Sequence, residues 1–99
     1  MYVVLVNYTA PLQEIDYSLA DHAEWLAKHY EHGNFLASGM RDRRVGGVII
    51  AKPMARGKLD AILATDPFSI QHLASYEVIE FAATRTAHEL NMLNEAVSL

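Results

Sequence analysis

Apolar residues recur along the chain with two periods, about 2 residues in some stretches and about 3.6 in others, and the order of those stretches predicts an architecture. Residues 2–8 (Tyr-Val-Val-Leu-Val-Asn-Tyr) are β-branched and aromatic, and predict a strand covered on both faces at its start. Thr9, Ala10 and Pro11 end it, and residues 11–16 read as a loop. Asp16 is a suitable N-cap for a helix from Tyr17 to His32, and Gly33 suits the C′ position, where a left-handed backbone is favoured. Leu19, Ala23, Leu26 and Tyr30 follow an i, i+4, i+7, i+11 rhythm and predict one apolar stripe packed on a sheet. At about 100° per residue, His22 and His29 fall some 60–80° to one side of Leu19, at the edge of that stripe. Glu24, Lys28 and Glu31 lie further round, on the face turned to water.

Asn34 to Arg41 reads as a second strand, Asp42 to Arg44 as a turn, and Val45 to Lys52 as a third strand. Val48-Ile49-Ile50-Ala51 is apolar at consecutive positions, which predicts cover on both faces. Gly46 and Gly47 predict a bulge or the close approach of another backbone. After Pro53 a shorter helix is expected from Arg56 to Thr65, burying Leu59, Ile62 and Leu63. Asp66-Pro67-Phe68-Ser69 interrupts it, and a further helical turn is expected at Ile70 to Leu73. Tyr76 to Thr84 reads as the last strand, and His88 to Val97, carrying Leu90, Leu93 and Val97, as a terminal helix. The order β-α-β-β-α-β is the split βαβ pattern of an α+β, ferredoxin-like fold with an antiparallel sheet. Two helices cover only one face of such a sheet. The apolar second parity of the first and third strands therefore predicts a homodimer in which two copies meet through their sheet faces.

The 99 residues fit one domain, with its core over about residues 2–84. Hydrophobic residues make up 52% of the chain, a high share for a small monomer and one that a buried subunit interface would absorb. The net charge of −4, from eight Lys and Arg against twelve Asp and Glu, gives no broad basic face, so nucleic acid is not an expected partner. Arg41, Arg43 and Arg44 are interrupted by Asp42 and read as a solvated turn, with contact to a ligand anion as the alternative. The absence of cysteine excludes a thiolate nucleophile, zinc ribbons, iron–sulfur ligation and disulfides, and suits a reducing cytoplasm, the expected location. Residues 1–7 show no basic leader and turn polar after six positions, so neither a signal peptide nor a membrane span is expected there.

Few residues are suited to chemistry. His22, at the rim of the stripe, can act as a general acid or base if its ring reaches a cleft; otherwise it is a boundary histidine bonded to water or backbone. Asp66 follows the second helix, where the topology brings it toward the first helix. A carboxylate on an imidazole would fix the tautomer and balance the imidazolium. Asp66-Pro67 is equally a helix N-cap with proline at N1, and a carboxylate has two oxygens to serve both roles. Ser38 could hold a ligand and Gly39 could open space for it, but the Gly-x-Ser-x-Gly setting of a nucleophile is missing, and Ser38 reads otherwise as a small polar strand residue. His29 and His32 have chelating spacing around Glu31, yet His22 lies two to three turns away and no His-Glu-x-x-His motif occurs, so no metal is expected. Gly46-Gly47 lacks the Lys and Ser or Thr of a phosphate-cradling loop.

Taken in order, these landmarks resemble the YCII-related proteins over roughly residues 2–82. They are a short first strand, Asp21-His22 early in the first helix, Gly33-Asn34-Phe35-Leu36-Ala37-Ser38-Gly39, a glycine-bearing third strand, Asp66-Pro67-Phe68, and a final strand ending near Glu80-Phe81. The resemblance implies a dimeric α/β barrel, a pocket between sheet and helices, and a His–Asp dyad formed by His22 and Asp66. One type of relative removes chloride from a chlorinated hydroxyquinone, and the wider superfamily includes muconolactone isomerases. Many members have no known substrate, and some occur beside sigma-factor regulators. This chain departs from the pattern at Leu19, where an arginine usually stands, and at Met40, where a proline usually follows the glycine. Arg41 and Arg85 are the candidates to replace the missing charge.

The expected function is proton transfer on a small molecule, either isomerisation or HX elimination on a cyclic oxygenated substrate. His22 would move the proton, Asp66 would orient it, and Ser38, Gly39 and Phe68 would shape the substrate pocket, with no cofactor required. The alternative is a non-catalytic small-ligand-binding or structural dimer module, in which Asp66 serves only as a cap.

Overall fold

Strand pairing sets the layout. In the computed structural model, which describes residues 1–98, β1 (Tyr2–Tyr8) lies between β3 (Gly46–Ala51) and β4 (Ala74–Glu80), and β2 (Phe35–Met40) flanks β3. All pairings are antiparallel, in the order β2-β3-β1-β4. Helix α1 (Leu12–Glu31) joins β1 to β2, and α2 (Arg56–Ala64) with the short α3 (Pro67–Ile70) joins β3 to β4. Each crossover skips one strand, which is the α+β, ferredoxin-like arrangement from which dimeric α/β barrels are built.

Alternation along β1 assigns the two faces. Tyr2, Val4 and Val6 are buried, and their register partners Ala51 and Ile49 on β3 and Val78 and Tyr76 on β4 share that side. Ile15, Trp25, Leu59, Ile62, Leu63 and Phe68 from the helices close over it. Ile15, Leu59 and Phe68 are fully buried, each contributing about 1.5–3 kcal/mol of transfer free energy. Val3, Leu5, Val48 and Ile50 are half-buried on the opposite face, beside an exposed Ile79. The patch formed by these residues is apolar, with Glu77 beside Leu5 on the edge strand β4. Gly46 is the close approach that the sequence anticipates: a Cβ there would stand 1.7 Å from the Val6 carbonyl oxygen.

Four boundaries differ from the sequence expectation. Helix α1 begins at Leu12, not Tyr17, and Asp16 is inside it rather than capping it. Pro11 opens the helix with φ −58° and its carbonyl accepts from Glu14 and Ile15, because a proline at a helix start loses no intrahelical bond. The turn after α2 is helical from Pro67 to Ile70, earlier than expected, because Asp66 starts a helix instead of breaking one. It closes at His72, a left-handed non-glycine residue with φ 57°. Strand β4 runs Ala74–Glu80, not on to Thr84, because Glu80 already pairs with Tyr2 at the end of β1. The tail forms 3₁₀ turns at His88–Leu93 and Glu95–Ser98 instead of an α-helix, with the Glu95 carboxylate accepting from the Ala83 amide at 2.7 Å. The Val97 side chain and Leu99 lie outside the described residues.

The stripe on α1 also moves. Ile15, Ser18, Trp25 and His29 are the buried residues, with His22 between them and half-buried. Leu19 and Leu26 are only half-buried, and Ala23 and Tyr30 are exposed. The buried stripe contains a serine and two histidines, each with a partner, so counting apolar residues selects the neighbouring face. Among the described residues, no helix is long and apolar enough to cross a membrane.

Candidate functional site

Three side-chain contacts in a row fasten α1 to the segment around α3. Ser18 Oγ donates to Gln71 Oε1 at 2.8 Å, His22 Nδ1 meets Asp66 Oδ1 at 2.8 Å, and Trp25 Nε1 donates to Thr65 Oγ1 at 2.9 Å. Thr65 Oγ1 in turn donates to the Ile62 carbonyl oxygen at 2.6 Å, at the end of α2. The outer two contacts fix the helix on both sides of His22, so the His–Asp geometry does not depend on that bond alone.

The Asp66 carboxylate has no exposed surface. Burial of a carboxylate demands donors, and three are supplied: His22 Nδ1 and the Phe68 amide (3.0 Å) on Oδ1, and the Tyr76 hydroxyl (2.6 Å) on Oδ2. Cap and imidazole partner are thus the same side chain. Burial, with the Asp66 hydrogen bond and charge, pushes the Tyr76 phenol well above its ordinary range, so it remains a donor. An ionised carboxylate only accepts, so against one His22 Nδ1 is the donor, and in the neutral ring Nε2 is then the lone-pair acceptor.

The imidazole lies on Phe68 with ring centres 4.1 Å apart and planes 10° apart, and Trp25 stacks on it at 5.6 Å. Its side chain is 15% exposed, and it lines a cavity of about 250 Å³ between α1 and the sheet. Val6, Leu19, Leu26 and Ile49 supply apolar wall, and Tyr8 stands edge-on to Phe68 at 5.7 Å. Burial raises the Tyr8 phenol above its ordinary value, so it too is protonated near neutral pH.

The sequence-predicted residues converge. His22, Ser38, Gly39 and Phe68 all line this cavity, and Asp66 stands behind His22 rather than in the wall. Ser38 Oγ is 2.6 Å from the Tyr30 hydroxyl, and a Cβ at Gly39 would meet no atom within 4 Å, so the space beside the strand is open there. Leu19 and Met40, the two departures, line it as well, whereas Arg41 and Arg85 do not. Arg41 Nη1 donates to Asn7 Oδ1 at 2.6 Å instead. His29 and His32 belong to an aromatic cluster, and no group of three metal-ligating side chains occurs among the described residues. Sequence reasoning missed Tyr76, Tyr8 and the Ser18–Gln71 and Trp25–Thr65 braces. Only the parity of β4 could have pointed to Tyr76, since it faces the helices opposite Val6.

A family model described as YCII-related domain matches residues 1–82. No curated protein matches the chain in sequence. Among solved structures, the 5-chloro-2-hydroxyhydroquinone dehydrochlorinase of Burkholderia phenoliruptrix AC1100, in complex with 2,5-dihydroxybenzoquinone, is similar with a TM-score of 0.69 and 16% identity, over 82% of this chain and 93% of that one. At that identity the likeness establishes the fold.

Proposed function

For a chain that belongs to the YCII-related family, we propose a small-molecule enzyme that transfers a proton on a cyclic oxygenated substrate without a cofactor. The observation that carries the reading is the 2.8 Å contact of His22 Nδ1 with a buried carboxylate, at the wall of a cavity. His22 Nε2 would take a proton from substrate carbon. In an isomerisation the proton returns to a different carbon; in an elimination the electron pair of the broken C–H bond forms the new double bond, and the C–X pair leaves with X as halide. Asp66 holds the ring and balances the imidazolium charge while it exists. Ser38, Gly39 and Phe68 shape the pocket. The dehydrochlorinase of the same fold, whose name describes an HX elimination on a ring, supports this class of reaction. Cyclic lactones and halogenated hydroxybenzenes form the screening panel. With any substrate found, His22→Ala is expected to abolish turnover while circular dichroism remains that of the wild type; surviving turnover would sink the reading.

The half-buried face of Val3, Leu5, Val48 and Ile50, with Ile79, supports a homodimer joined through the sheets. Sedimentation at the mass of two chains, reduced to one by Val3→Asp, is the expected result. A non-catalytic binding module draws support from the cap role of Asp66 and predicts that His22→Ala alters no turnover.

A further inference from the structure

Among the described residues, no lysine, arginine, aspartate or glutamate lines the cavity beside His22. Its polar side chains are Tyr8, His22 and Ser38, and the remainder are glycine or apolar. Two of the three hairpin arginines are engaged elsewhere, Arg41 with Asn7 and Arg44 with Asp16 on α1, and the third, the exposed Arg43, does not line the cavity. The fixed charge behind the wall is negative, the Asp66 carboxylate. With His22 neutral the pair carries one negative charge, and with His22 protonated it carries none, so neither state presents net positive charge to a ligand. An anion entering the cavity gives up hydration and gains no counter-ion.

An uncharged ring meets the opposite conditions. Leu19, Leu26 and Ile49 offer it apolar contact, and His22 and Ser38, the latter held by the Tyr30 hydroxyl, offer hydrogen bonds to ring oxygens. An apolar cavity of about 150 Å³ takes up benzene, so the cavity of about 250 Å³ has room for one six-membered ring with a few substituent atoms. Leu19 stands one turn before His22 on the same wall, so its apolar side chain brings no charge to the chamber next to the imidazole.

We propose that this cavity selects an uncharged monocyclic ligand bearing hydroxyl or carbonyl oxygens over its carboxylate counterpart, with Leu19 setting that preference. The inference rests on the cavity being the ligand site and not on catalysis.

Calorimetric titration of the full chain with methyl gentisate and with gentisate, near neutral pH, compares one ring with and without a negative charge. The ester is expected to bind at least about tenfold more tightly than the acid, shifting the His22 and Phe68 ring signals in NMR spectra. Leu19→Arg is expected to shrink or invert that ratio. Ala23→Arg, on an exposed turn of the same wall, supplies the same cation should the first variant not fold. The proposal is overturned if the acid binds as tightly as the ester, if neither binds, or if the ratio is unchanged in a folded arginine variant. Because the ratio is read without turnover, a catalytic failure of His22→Ala leaves it standing, and the two readings fail separately.

Discussion

His22 and His29 occupy the same buried stripe of α1, two turns apart, and they live in opposite surroundings. His22 Nδ1 faces the Asp66 carboxylate and its ring borders a cavity. His29 Nδ1 faces the Asn34 side-chain amide nitrogen at 3.1 Å, its ring is packed against Trp25 and Phe35 (5.2 Å each), and its buried Nε2 has no hydrogen-bond partner among the described residues. A carboxylate accepts and an amide NH₂ donates, so Nδ1 is the donor in His22 and the acceptor in His29. Residue type and helix phase are shared. The segment packed opposite each ring decides which one is equipped to move a proton and which one fills the core.

The largest test is a paired truncation. His22→Ala is expected to lower turnover by about 10²- to 10⁴-fold, while costing only about 1–2 kcal/mol of unfolding free energy through one lost donor to Asp66. His29→Ala should do the reverse: a void between Trp25 and Phe35 and an orphaned Asn34 amide cost about 2–4 kcal/mol, with turnover per folded molecule near that of the wild type. Urea unfolding and kinetics on the two variants measure both quantities. Equal stability losses would erase the distinction drawn between the rings.

A smaller effect separates them by pH. Burial lowers the His29 pKa below its ordinary value, and the Lys28 and His32 charges act in the same direction. Protonation would also turn a second donor toward the Asn34 amide. The unfolded chain therefore binds this proton at higher pH than the folded one, so stability is full above the unfolded value and declines as pH falls from about 7 toward 5. His29→Leu should flatten that slope in urea titrations. Glu95 acts lower down: the Ala83 amide holds its carboxyl below the usual range, so its contribution is lost only as pH drops below about 4.3.

The sequence made the fold legible because strand and helix periods, Pro53 and Gly33 punctuate it, and because Gly46 marks a true backbone contact. The site was legible in part. His22, Asp66, Ser38, Gly39 and Phe68 were identified from helix phase, a capping motif and the family resemblance, and they gather at one cavity. The stripe through Leu19, Ala23 and Leu26 differs from the core stripe for a physical reason: a wall of a ligand-sized cavity is as apolar as a core face, and the core stripe carries two polar residues, Ser18 bonded to the distant Gln71 and His29 bonded through Nδ1 to Asn34. For Tyr76 the parity of β4 gives at most the face, because its role depends on a register, Val6 opposite Tyr76, that pairs strands distant in sequence.

That hydroxyl gives the finest test of the comparison. Tyr76→Phe removes the donor on Asp66 Oδ2 and leaves the His22 contact on Oδ1 in place. A buried carboxylate deprived of one of its three partners should cost about 1–2 kcal/mol in stability and lower turnover by roughly three- to tenfold. Nitrogen NMR shifts of the His22 ring should still report Nδ1–H, since the acceptor that fixes the tautomer is untouched. If turnover falls while the tautomer holds, Tyr76 works by positioning the carboxylate rather than by moving a proton. A loss of stability with unchanged turnover would instead make it structural, and would place the Asp66 side of the site closer in kind to His29 than to His22.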